Sequence, residues 1–210
     1  MAEEHLFINS GNLKIEALLD KRPGEKGIVV THPHPLYGGE MENNVVAAIV
    51  EAFGDMGYST LRFNFRGVGR SEGSYDGGCG EQDDVAAALG FLSGIGKRHL
   101  YLAGYSFGAW VNFIGLGKYR EVRGLVMVAP PVGLLDFGCG GPVSRVKLVI
   151  TGSKDDIAEF HVVQEKVRAW NPEAVFRIIE GADHFYRGKT MEIREIIKEH
   201  LKDEEMRSQR

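Results

Sequence analysis

The sequence predicts an α/β domain built on a mostly parallel, doubly wound sheet with an antiparallel hairpin at its N-terminal edge. Two observations predict it. Short apolar runs of strand length alternate along the chain with longer stretches of helical character. Ahead of them, Leu6–Ile8 and Leu13–Leu18 flank the turn Asn9-Ser10-Gly11-Asn12, which reads as a hairpin. A length of 210 residues, with no internal repeat or linker, fits a single domain with a full-sized core.

The elements follow in order. Gly27–Thr31 is a short buried strand, Glu42–Met56 a helix ended near Gly57, and Tyr58–Phe65 a strand. Glu81–Leu92 is a helix whose first turn carries Glu81, Asp83 and Asp84, which suits the helix dipole. Leu100–Ala103 is a strand and Phe107–Leu116 a helix. Gly124–Ala129 and Val146–Ile150 are strands, Ala158–Arg168 a helix and Val175–Ile179 a strand, eight strands in all with the hairpin. Met191–Leu201 is a final amphipathic helix, and the polar tail Lys202–Arg210 should fray.

Composition excludes several classes. With 43% hydrophobic and 26% charged residues the chain reads as soluble and globular, and with a net charge of −4 nothing points to nucleic acid. No apolar run approaches the length needed to span a membrane. Met1-Ala2-Glu3-Glu4-His5 has neither the basic start nor the apolar stretch of a leader, so a cytoplasmic protein is expected. Cys79 and Cys139 lie in glycine-rich loops, are not spaced as zinc ligands, and should stay reduced there.

The chemistry points to Gly104-Tyr105-Ser106-Phe107-Gly108. In a chain with 28 glycines the G-x-S-x-G pattern alone decides little. Its context decides more: it joins a strand to a helix, the setting of a nucleophile elbow. Gly69-Arg70-Ser71-Glu72-Gly73 has the same pattern without that setting, so Ser71 is read as a loop serine. Arg66–Gly73 matches neither a dinucleotide fingerprint nor a phosphate-binding loop. It is read as a structural turn, with Arg66 pairing to Asp83 or Asp84.

A serine hydroxyl needs a base, and the base needs an acid to orient it. Ser153-Lys154-Asp155-Asp156 and Gly181-Ala182-Asp183-His184 each follow a strand, in the order serine, acid, histidine. Ser106 and His184 are therefore the candidate nucleophile and base, and one of Asp155 and Asp156 the acid, with Asp156 the better placed to cap the helix that follows. His32 and His34 are paired in His32-Pro33-His34-Pro35, but no acidic or cysteine cluster completes a metal site around them. No metal or organic cofactor is expected.

Taken together, Thr31–Gly39, Leu61–Gly73, Gly104–Gly108, Gly152–Asp155 and Gly181–His184 resemble the α/β-hydrolase superfamily, especially its small, lidless, mostly bacterial serine hydrolases. Dienelactone-hydrolase relatives carry cysteine at the elbow, where this chain has Ser106. The resemblance implies a Ser106–His184–Asp155 triad and an oxyanion hole from two backbone N–H groups. One is that of Phe107. If His34-Pro35 stands where relatives have His-Gly, Leu36 gives the other, with Tyr37 the neighbouring choice. Relatives commonly insert a cap after the strand equivalent to Gly124–Ala129, but here only Pro130–Arg145 intervenes. An open pocket walled by Tyr37, Phe107, Leu134, Phe137 and Phe185 is expected beside Ser106.

The implied activity is cleavage of a small ester or thioester through an acyl-enzyme. A peptidase or acyltransferase with the same triad, and a non-catalytic ligand-binding relative, stay open as alternatives. The expected partner is a small acyl substrate, with no nucleic acid and no membrane, and at most a second copy of the chain.

Overall fold

The computed structural model describes residues 3–138 and 143–208, and Cys139 falls outside them. Eight strands form one sheet: β1 (Glu4–Ser10), β2 (Leu13–Asp20), β3 (Lys26–Thr31), β4 (Ser59–Phe63), β5 (His99–Tyr105), β6 (Val122–Val128), β7 (Val146–Gly152) and β8 (Val175–Ile179). Their order across the sheet is β1-β2-β4-β3-β5-β6-β7-β8. The β1–β2 and β2–β4 pairs are antiparallel, and every other pair is parallel. This is the expected sheet with its hairpin at the edge.

Five helices flank the sheet: α1 (Asn44–Asp55), α2 (Cys79–Gly94), α3 (Phe107–Gly115), α4 (Phe160–Trp170) and α5 (Thr190–Ser208). Helix α1 packs on α5 and α2 on α3. Central strands β3, β5, β6 and β7 are covered on both faces, and their apolar residues are almost wholly buried. That burial is why they read as continuous apolar runs rather than alternating ones.

The parallel register gathers the chemistry at one end. Thr31 pairs with Gly104, Tyr105 with Val128 and Gly152 with Ile179. The loops after β3, β5, β6, β7 and β8 therefore leave the sheet together at its carboxyl end, the usual ligand side of such sheets.

Two boundary expectations are corrected. The tail does not fray at Lys202: α5 runs on to Ser208. Its polar residues find partners on the sheet, Glu204 accepting from the Tyr101 hydroxyl at 2.6 Å and Glu205 pairing with Lys26. Helix α4 starts at Phe160 rather than Ala158, because the residues before it are held in a turn around Asp155.

The two G-x-S-x-G stretches separate cleanly. Ser71 Oγ accepts from the Glu16 N–H at 2.9 Å and donates to the Asn64 carbonyl at 2.7 Å. It ties the loop after β4 to β2 and lies among buried residues. Arg66 grips Asp84, not Asp83: Nε and Nη2 donate to the two carboxylate oxygens at 3.1 and 2.8 Å, and the Arg66 N–H adds a third bond at 3.1 Å. The Asp84 side chain is fully buried and that of Arg66 is 14% exposed. Removing one partner of a buried pair strands the other charge. Arg66→Ala should therefore lower stability by about 3 kcal/mol. Thermal melts beside KM measurements check this, since an unchanged Tm with a raised KM would assign Arg66 to substrate instead.

Candidate active site

Ser106 sits between β5 and α3 with φ 53° and ψ −116°. A non-glycine residue so far from the allowed basins costs roughly 1–3 kcal/mol and holds only where its surroundings fix it. Here the fixing is tight. The Ser106 N–H donates to the Val128 carbonyl at 2.9 Å, and a Cβ at Gly104 would lie 2.6 Å from the Ala109 nitrogen. A Cβ at Gly108 would lie 2.6 Å from the His32 carbonyl oxygen. Both glycines of the motif are thus dictated by close backbone approach.

The loops after β7 and β8 complete the arrangement. His184 Nε2 is 3.0 Å from Ser106 Oγ, and His184 Nδ1 lies 3.0 and 2.9 Å from the two oxygens of Asp155. Ser106, Asp155 and His184 are all more than 90% buried. Asp155 Oδ1 also accepts the N–H groups of Ile157 and Ala158, at 3.0 and 2.7 Å, which fixes the carboxylate from behind. Asp156, expected to cap the helix that follows, is exposed and does not cap it: α4 has Glu159 at its N-cap with no side-chain cap, and Asp155 instead holds the turn before it. The loops themselves are joined by Ser153 N–H to Ile179 carbonyl (3.0 Å) and Lys154 N–H to Ala182 carbonyl (2.9 Å).

Tyr105 is a contributor that the motif did not flag, although it is the residue before the serine. Its hydroxyl donates to the His184 carbonyl at 2.7 Å, and its ring lies 5.5 Å from the imidazole. Burial pushes this phenol well above its ordinary range, so it remains a donor.

No family model matches the chain. It is 35% identical over 208 residues to an uncharacterised protein of Rickettsia prowazekii, covering 93% of this chain and 87% of that one. An α/β serine hydrolase homologue from Coxiella burnetii is 33% identical, covers 96% of this chain and 98% of its own, and superposes with a TM-score of 0.88. The chain belongs to the α/β serine hydrolases. A member of that group without a lid, from Xanthomonas campestris, is 29% identical over 97% of this chain and 95% of its own, with a TM-score of 0.88. This hydrolase is likewise lidless, and the described part of the segment between β6 and β7 consists of turns.

The loop after β3 departs from the expected register. Pro35–Tyr37 forms a short 3₁₀ turn that engages both N–H groups weighed as donors. The Leu36 N–H goes to His34 Nδ1 at 3.2 Å and the Tyr37 N–H to the His34 carbonyl at 3.1 Å. Leu36 itself is 66% exposed and does not line the cleft. The His34 N–H, between two prolines, has no acceptor among the described residues, and neither has that of Phe107 at the start of α3. Both residues line the cleft with Ser106. His32 anchors the loop: the Phe65 N–H donates to its Nε2 at 3.0 Å while Nδ1 contacts the Pro33 carbonyl at 2.7 Å. Burial pushes its pKa down to about 4, so the ring is neutral.

The cleft over Ser106 has a volume of about 710 Å³. Tyr37, Phe107, Leu134 and Phe185 line it as expected, joined by Pro131, Leu135 and Ile157. Phe137 does not. It is buried against Trp170, ring centroids 5.2 Å apart and nearly parallel, and against Phe113 at 5.2 Å. An aromatic ring that can reach two others gains more in the core than at an open rim.

Proposed function

We propose that this hydrolase cleaves small, neutral carboxylic esters or thioesters through an acyl-enzyme formed on Ser106. The observation that carries the reading is the unbroken hydrogen-bonded series Ser106–His184–Asp155 at the base of an apolar cleft. Ser106 Oγ attacks the ester carbonyl carbon as His184 Nε2 takes the hydroxyl proton. The carbonyl oxygen becomes an oxyanion facing the N–H groups of His34 and Phe107, which no protein acceptor occupies among the described residues. Collapse expels the alcohol, which leaves with the proton from His184. Water repeats the sequence on the acyl-enzyme and releases the acid. Asp155 steadies the imidazolium from Nδ1 throughout, and no cofactor enters any step.

A fluorophosphonate probe tests this directly. Ser106 should be labelled, and a folded protein that resists the probe would refute the reading. Chain-length preference gives a second check. Tyr37, Leu134 and Phe185 are 86%, 71% and 56% exposed, so the cleft rim stands open to water. Acyl carbons beyond the rim gain little of the roughly 0.8 kcal/mol that a buried CH₂ contributes. Across a p-nitrophenyl ester series, kcat/KM should peak at short acyl chains and show no jump at micelles. A rise continuing through long chains would mean that a closed acyl site exists.

A further inference from the structure

We propose that the Asn43 carboxamide is a donor subsite for the leaving alcohol, and that the preferred substrates are neutral esters whose alcohol carries a second acceptor oxygen. The proposal rests on the hydrolase reading above and specifies its substrate class.

Among the described residues the cleft is lined by no lysine, arginine, aspartate or glutamate. A charged substrate group would be desolvated there without a partner, so neutral groups are favoured. Asn43 is the one carboxamide among the lining residues. Most other polar side chains there are already engaged: Tyr105 donates to the His184 carbonyl, His34 Nδ1 accepts from Leu36, and Ser106 and His184 hold each other.

Asn43 is engaged on one side only. It caps α1, and its Oδ1 accepts the Val45 N–H at 2.9 Å. That bond fixes which end of the amide is oxygen. Nδ2, with two donors, has no partner among the described residues. Capping alone would be served as well by aspartate or serine, neither of which keeps an N–H₂ on the far side. The side chain is held before substrate arrives, so little rotamer freedom is lost on binding.

The leaving-group side follows from the neighbouring residue. Asn44 Nδ2 donates to the Phe185 carbonyl at 3.5 Å, which ties the start of α1 to the loop carrying His184. His184 Nε2 returns its proton to the departing oxygen, so the alcohol stands on the His184 side of the scissile bond, the side on which Asn44 joins the start of α1 to the His184 loop.

The test uses two isosteric pairs in which one methylene becomes oxygen. Butyl acetate and 2-methoxyethyl acetate vary the alcohol; methyl butanoate and methyl methoxyacetate vary the acyl group. Ratios of kcat/KM within each pair are compared between the parent and both Asn43→Asp and Asn43→Ser, which keep a cap and lose the amide donors. Intrinsic reactivity and any general loss of activity cancel in this comparison. The alcohol-pair ratio should fall about fivefold in both variants, the worth of one net hydrogen bond, with the acyl-pair ratio unchanged. An unchanged alcohol-pair ratio in variants of parental Tm, or an equal fall in the acyl pair, overturns the proposal while leaving the hydrolase reading intact. A parent that fluorophosphonate does not label at Ser106 overturns both.

Discussion

Ser106→Ala should abolish ester turnover and fluorophosphonate labelling together. In a triad acting as a unit, loss of the nucleophile costs about 10⁶ in kcat. The fold should survive, because what holds the elbow is not the hydroxyl. The Ser106 N–H keeps its bond to Val128, the flanking glycines keep their close approaches, and alanine takes the same backbone angles. Among the described residues, the hydrogen bond removed is the 3.0 Å bond to His184, in a cleft that water can enter, so stability should change by about 1 kcal/mol or less. Ser71→Ala should do the reverse. Its hydroxyl serves the Glu16 N–H and the Asn64 carbonyl inside the protein, and removing it leaves both without that partner, at about 1–3 kcal/mol. Labelling should be retained. The two serines share a sequence pattern, so mass-spectrometric mapping of the probe beside thermal melts of both variants separates pattern from setting. Labelling lost in Ser71→Ala and kept in Ser106→Ala would reverse the assignment.

The contrast between these serines also shows what the chain discloses before folding. Strand-length apolar runs are unambiguous when a strand is covered on both faces, as β3, β5, β6 and β7 are, so sheet and elbow could be read directly. The order serine, acid, histidine could be read because each lies just past a strand-length run, Ser106 after β5, Asp155 after β7 and His184 after β8. What stayed hidden depends on partners distant in sequence. Residues 202–208 are mostly helix formers but show no apolar face that would mark them as packed; Lys26 and Tyr101 hold them to the sheet by pairing with Glu205 and Glu204. Phe137 sits in a glycine- and proline-rich stretch that suggests a loop, and only Phe113 and Trp170 reveal that it turns inward. The register of the loop after β3 was obscured by its own 3₁₀ turn, which engages the N–H groups of Leu36 and Tyr37 and leaves that of His34. Asn43 did carry a local signal, an asparagine just ahead of an apolar helical run, but that signal marks a cap and says nothing of the cleft.

Asp155→Asn should lower kcat by as much as about 10⁴, the loss seen when a triad's orienting carboxylate becomes an amide. The carboxylate presents both oxygens to His184 Nδ1, at 3.0 and 2.9 Å, and Oδ1 also accepts from Ile157 and Ala158. Asparagine can keep its carbonyl oxygen on those two backbone donors. Its –NH₂ then faces Nδ1 as a donor and selects the imidazole tautomer with the proton on Nε2, the nitrogen that must receive the Ser106 proton. The variant should therefore fold and fail in catalysis. Asp155→Ala should fail in both respects, because the buried Ala158 N–H loses its acceptor at about 1–3 kcal/mol and the part-buried Ile157 N–H loses its acceptor too. Asp156→Asn should change neither kcat nor Tm measurably, since this side chain is exposed and caps nothing. The pair Asp155→Asn and Asp155→Ala separates the carboxylate's charge from its role as an acceptor in the turn. Equal melting temperatures for the two would show that the turn before α4 stands without Asp155. A large kcat loss in Asp156→Asn with Asp155→Asn near parental would move the acid by one residue and undo the account of this loop.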